Sequence, residues 1–337
     1  MTEDSATRDF IQSLPKTETH LHMEGALPWE LLEAKNPSKY GRQPAFREVG
    51  FRYENFEQFE SILIEHALGW FDSAESYYEA AALVFAKQVE QNVKYVETSF
   101  HAGMMEFLNI PGEEILKAIE SAVPAGLEVR VFLGISRNAY TPYLAPLLED
   151  ALTSWPSLAG IDLHGLESLP MDAWTQPFWQ RAASLGKTLK AHAGEFGPAS
   201  NIREAVVDLG VRRIQHGTRA FEDESVMKLL LDEGVTLDVC PISNYKLKVV
   251  DSLSVHPVRD FVQRGIRCTI STDDPFSFNN SLHDEYMALA KETGFSFRQL
   301  AALAVNGFEV ADLDETPKKL FQQEITEVVE RTLGPHE

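Results

Sequence analysis

Four short runs carry residue types that do chemistry together: His20-Leu21-His22, His192-Ala193-Gly194-Glu195, His216-Gly217 and Ser271-Thr272-Asp273-Asp274-Pro275. Imidazole nitrogen with carboxylate oxygen is a donor set suited to Zn²⁺. In an extended strand, residues i and i+2 share a face, so His20 and His22 are placed to reach one ion together. Taken alone this pair is a weak signal, since the chain has ten histidines and such a spacing arises by chance. A lone histidine is more often a satisfied polar residue than a ligand. The weight comes from several such runs, each at the end of a strand-like segment.

Those segments are short β-branched or apolar runs at 17–22, 95–100, 128–135, 160–164, 188–192, 213–216, 236–240 and 268–271. Helical patterns lie between them at 80–91, 112–123, 171–185, 201–209, 224–233 and 258–264. Eight strands alternating with helices over about 300 residues predict a (β/α)₈ TIM barrel, whose active site is built from the C-terminal strand ends. A doubly wound sheet is the other arrangement of this size, but no Gly-rich phosphate loop follows the first strand. The expected organisation is a single metal-dependent barrel domain over 1–337. A helical insertion at about 29–75, rich in aromatics such as Phe51, Tyr53, Phe56, Phe59 and Trp70, packs over the barrel mouth or forms a peripheral layer.

Composition removes other classes. With 51 acidic residues against 30 Lys plus Arg, the net charge is −21, which argues against a nucleic-acid or anionic membrane partner. The opening MTEDSATRDF lacks an apolar signal core, no run is long enough to span a bilayer, and Cys240 with Cys268 cannot form a disulfide framework. A cytoplasmic protein is expected. His66, His256, His283 and His336 read as structural or surface residues, while His101 and His164 sit near strand ends and could line a pocket.

Together with Leu14-Pro15-Lys16, Met23-Glu24-Gly25-Ala26 and Cys240-Pro241-Ile242-Ser243-Asn244, the four runs resemble the adenosine deaminase family, in family order across residues 14 to about 286. The resemblance implies one Zn²⁺ held by His20, His22, His192 and Asp273. It makes Glu195 the proton donor to purine N1, and His216 the group that deprotonates or orients the zinc water. Substrate would meet His22, Glu24, Gly165 and Asp274, with the Gly165 amide against N3 and catalytic Asp274 accepting a hydrogen bond from the zinc water or from the purine. The chemistry fits these residue types: zinc brings bound water toward a pKa of ~7, and a carboxyl kept protonated by burial activates the ring for attack at C6.

Substrate choice is mixed at this stage. Glu24 stands where nucleoside enzymes of the family carry an Asp for the ribose 5′-hydroxyl, and Ser243-Asn244-Tyr245-Lys246-Leu247 resembles the adenine type. Gly165-Leu166-Glu167, Thr272-Asp273-Asp274-Pro275, Ser281-Leu282, Asp284 and Tyr286 resemble the nucleoside type. The reading favours adenosine converted to inosine and ammonia. Adenine, a modified nucleoside such as aminodeoxyfutalosine, or a cyclic amide of another amidohydrolase are the alternatives. A phosphorylated substrate is disfavoured, because no basic cluster accompanies the strand ends.

Overall fold

The computed structural model describes residues 3–334; His336 lies outside them. Eight parallel strands run in the order β1 (Lys16–His22), β2 (Val93–His101), β3 (Glu128–Ser136), β4 (Gly160–His164), β5 (Thr188–Ala193), β6 (Arg213–His216), β7 (Thr236–Val239) and β8 (Arg267–Ile270). Between β8 and β1 a single bridge pairs Leu21 with Asp273. Asp273 N–H donates to His20 O at 3.0 Å and His22 N–H to Asp273 O at 3.1 Å. The expected barrel is thus present, and its seam brings the first and last chemical motifs into contact.

Outward-facing residues such as Leu133, Ile135, Ile161, Ile214, Leu237 and Ile270 are buried against the surrounding helices. The inside differs from the apolar expectation for buried parallel strands. Below the mouth, Arg213 donates to both Glu97 and Asp238, Lys190 pairs with Glu97, and Thr19 and Thr269 bond Asp238. Burial opposes charge on Glu97, but Arg213 and Lys190 beside it hold its carboxyl down at about 2. A closed barrel of this size must be filled by side chains, and here ion pairs fill its lower layer.

The connection after β1 carries helices Trp29–Lys35, Pro37–Tyr40 and Phe56–Leu63, then a π-turn at Ile64–Leu68, before helix Ala74–Glu90. Its aromatics are mostly core: Tyr53 and Phe71 are fully buried, and Phe59 stacks on Phe278 beyond β8. Phe56, Phe59, Leu63, Ile64 and Leu68 also line the cavity at the mouth. The segment therefore roofs the site as well as packing against the barrel.

Candidate metal centre and active site

A plain alternation does not suffice to bring His20 and His22 inward together with Thr19, whose hydroxyl reaches Asp238 inside the barrel. The β1–β2 register shifts between Glu18 and Leu21. Such a bulge re-aims side chains, and it lets Thr19 and His20, neighbours in sequence, both turn inward. The Nε2 atoms of His20, His22 and His192 then lie 3.0–3.3 Å from one another. Asp273 Oδ1 is 3.3 Å from both His20 Nε2 and His22 Nε2.

These separations fit a cation. Four ligands about 2.0–2.1 Å from a tetrahedral ion are about 3.3 Å apart. The other ring nitrogens are engaged: His20 Nδ1 faces Asp238 O at 3.4 Å, and His192 Nδ1 faces Leu163 O at 3.2 Å and Asp162 Oδ1 at 3.3 Å. Those acceptors place the proton of His20 and His192 on Nδ1 and leave the Nε2 lone pairs facing one another. Converging lone pairs repel unless a positive charge sits between them. His22 Nδ1 lies 3.0 Å from Ser99 Oγ. The fourth motif contributes Asp273, whose Oδ2 accepts from Ser243 Oγ at 2.6 Å. Asp273 holds a left-handed backbone with φ +66°, a costly conformation for a residue with a side chain.

His216 also adopts positive φ, +64°, and its ring approaches the same cluster. Its Nε2 stands 3.9 Å from Asp273 Oδ2 and 3.5 Å from Glu195 Oε2. Its tautomer follows from a chain of donors. Val258 N–H donates to His256 Nδ1, so His256 Nε2–H donates to Asn244 Oδ1 at 3.1 Å. That fixes the Asn244 amide, whose Nδ2 donates to His216 Nδ1 at 3.2 Å. Neutral His216 therefore carries its proton on Nε2, aimed at Glu195 and the cluster. His216 thus turns a proton, not a lone pair, toward the cluster, although its ring lies within 4.8 Å of ligand atoms of His20, His192 and Asp273. His256, read from sequence as structural or surface, is buried and wired to this ring. Nothing in its loop context marked it; only Asn244 lay inside a recognised motif.

Glu195 is buried, and its Oε1 has no partner among the described residues. Burial first, then the charges of Asp273 and Glu167, push its carboxyl well above the ordinary range. Glu167 organises the loop that bears it. Its carboxylate accepts N–H bonds from Gly194, Glu195, Phe196 and Gly197. Asp274, raised by burial and by Asp273, Glu195 and Glu24, packs against Gly25. A Cβ at Gly25 would fall 1.5 Å from Asp274 Oδ1, so only glycine fits there.

Glu24 faces the cavity but is engaged: Tyr77 Oη donates to it at 2.5 Å and His101 N–H at 3.2 Å. His101 and His164, left open by the sequence, both line the cavity with their rings 4.8 Å apart. The cavity measures about 310 Å³ and is lined by His22, His192, Asp273, Glu195 and Gly165 and by the mainly apolar 56–68 segment, Glu60 included. No helix among the described residues is long and apolar enough to cross a membrane.

The adenosine deaminase family profile matches residues 15–328. An adenine deaminase from Rhodospirillum rubrum is 30% identical over 312 residues, covering 90% of this chain and 93% of that protein. One from Ectopseudomonas mendocina is 32% identical over 314 residues, covering 89% and 98%. Among solved structures, the adenine deaminase of Arthrobacter aurescens superposes with a TM-score of 0.84 at 27% identity, over 94% of this chain and 99% of that one. The N6-methyl-AMP deaminase of Arabidopsis thaliana, at 22% identity and TM-score 0.79 over 95% and 98%, shares the fold.

Proposed function

The chain belongs to the adenosine deaminase family, and from that premise we propose that it is an adenine deaminase, hydrolysing the 6-amino group of the free base to give hypoxanthine and ammonia. The observation that carries the choice of base over nucleoside is the likeness to the adenine deaminases above. Glu24, which stands at the candidate ribose contact, accepts from Tyr77 Oη and His101 N–H through Oε1 alone, so these bonds do not separate base from nucleoside. The outer cavity is lined mainly by the apolar Phe56, Phe59, Leu63, Ile64 and Leu68, with Glu60 the charged group among them. The curated relatives at 30–32% identity carry the name adenine deaminase.

The segments that suggested a nucleoside have other occupations. Ser281 and Asp284 form the capping box of helix Leu282–Glu292, and Tyr286 is buried within that helix's packed face. Glu167 is spent on the 194–197 loop. Adenosine, favoured by the sequence reading, thus becomes the second choice.

His20, His22, His192 and Asp273 would hold the metal, which when bound supplies a Lewis acid that activates water at neutral pH. Glu195, kept protonated by burial, holds the proton that N1 needs before C6 becomes electrophilic. His216, its proton fixed on Nε2, orients the attacking water. Asp274 faces the base from the other side of the cluster, and Gly165 closes the cavity at the end of β4. The mainly apolar 56–68 segment lowers the polarity of the cavity mouth, which strengthens these interactions.

The test is ammonia release from adenine and from adenosine by the zinc-loaded protein. Adenine turnover exceeding that of adenosine is expected. Adenosine turnover with adenine inert would overturn the choice of base, and no ammonia from either would overturn the whole reading.

A further inference from the structure

His101, Ser136 and His164 lie on three adjacent strand ends, outside the candidate ligand set, and the chemistry above does not use them. They form a directed arrangement. Gly103 N–H donates to His101 Nδ1 at 2.8 Å, so the neutral ring carries its proton on Nε2. That proton faces Ser136 Oγ at 2.8 Å. With its oxygen accepting from His101, the Ser136 hydroxyl keeps its proton to donate at the cavity wall beside Gly165.

Ser136 and His164 are direct partners in the β3–β4 register, so their side chains stand on the same face. His164 lies over Gly134, where a Cβ would come 2.7 Å from its Cε1; the glycine makes room for the ring. Its Nε2 is buried and has no partner among the described residues. Leaving a buried polar atom unpaired is costly, so a site that carries one is poised for a ligand. Its ring centre is 5.6 Å from that of His22 and 5.9 Å from that of His192. It therefore borders the space just beyond the reacting centre.

We propose that Ser136 and His164 read the N3/N9–H edge of a free 6-aminopurine, Ser136 donating to N3 and His164 accepting from N9–H, with His101 a positioning residue that fixes the direction of the Ser136 hydroxyl. The inference rests on the adenine reading and deepens it. With C6 over the His/Asp cluster, N1 toward Glu195 and N7 toward Asp274, the edge turned away from the cluster is N3–C4–N9. A free base presents an acceptor and a donor side by side there. A 9-substituted purine lacks the donor and thrusts its substituent at His164.

The experiment compares adenine with 9-methyladenine and 3-deazaadenine as substrates. It also measures hypoxanthine against 9-methylhypoxanthine by calorimetric binding, with zinc content recorded for each variant. The native protein should prefer adenine to 9-methyladenine by at least about 100-fold in kcat/KM, because a site built to pair N9–H rejects an analogue without it. His164→Ala should narrow that ratio to under about 10-fold, and His164→Asn, which retains an acceptor, should restore part of it. The same order should appear in the calorimetric affinities. Ser136→Ala should erase the preference for adenine over 3-deazaadenine, and His101→Ala should add no further change to that preference in the Ser136→Ala background.

If adenine is turned over but His164→Ala with zinc bound weakens adenine and 9-methyladenine equally, the edge assignment falls and the adenine reading stands. If no 6-aminopurine releases ammonia, both fall.

Discussion

Asn244 Nδ2 donates to His216 Nδ1 at 3.2 Å, and so decides which nitrogen of His216 faces the reacting centre. The amide is itself oriented by His256 and by Thr218 Oγ1, both donating to its Oδ1. Replacing Asn244 by Asp would turn the donor into an acceptor and move the His216 proton to Nδ1. The expected result is a fall in kcat of about 10²–10⁴-fold, the range a positioned proton-handling group supplies, with bound zinc unchanged. Steady-state kinetics beside metal analysis checks this; loss of zinc in step with activity would instead place His216 among the ligands.

Glu195→Gln keeps shape and removes the proton that N1 requires. Turnover should drop by about 10²–10⁴-fold while metal content and thermal midpoint stay within error. Glu167→Gln acts at one remove. Its carboxylate accepts from four successive N–H groups, and hydrogen bonds to a charged acceptor are worth about 1.5–3 kcal/mol each at most. The variant should lose about 2 kcal/mol or more in denaturant unfolding and should show hydrogen exchange in the 194–197 loop raised before the rest of the barrel.

Asp273→Ala removes the one oxygen in the cluster and the partner of Ser243 Oγ. Zinc content after dialysis should fall toward zero, whereas His101→Ala should retain a full equivalent. Equal retention in both would move the metal away from this cluster.

The ion pairs under the site make a pH prediction. Glu97 is depressed to about 2 in the folded chain against about 4.5 in its absence of partners. A depressed carboxyl favours the fold above its unfolded value, and that contribution is lost as pH falls from about 4.5 through about 2. Glu97→Gln should therefore flatten the acid limb of a stability–pH curve. At neutral pH it should cost about 3–5 kcal/mol, because Lys190 and Arg213 remain buried with one counter-charge fewer.

Much of the site was legible because its chemistry is written in residue type and order. His20, His22, His192, His216 and Asp273 lie near or just past the ends of strands, and a barrel gathers strand ends on one rim. The bulge at Glu18–Leu21 was not legible, since simple alternation already accounts for His20 and His22 without it. The apolar expectation for the strand interiors failed at Glu97, Lys190, Arg213 and Asp238, whose compensation is visible only once four strands face one another.

The sequence by itself determined the alternation of strands and helices, the donor types for a metal, and an acid at Glu195, because these follow from local periodicity and the chemistry of single side chains. Tertiary structure alone decided what each polar group is bonded to. Glu24 meets Tyr77 53 residues away, and Thr19 meets Asp238 219 residues away. A hydrogen bond is satisfied by whatever the fold brings within 3.5 Å, and no spacing along the chain records that.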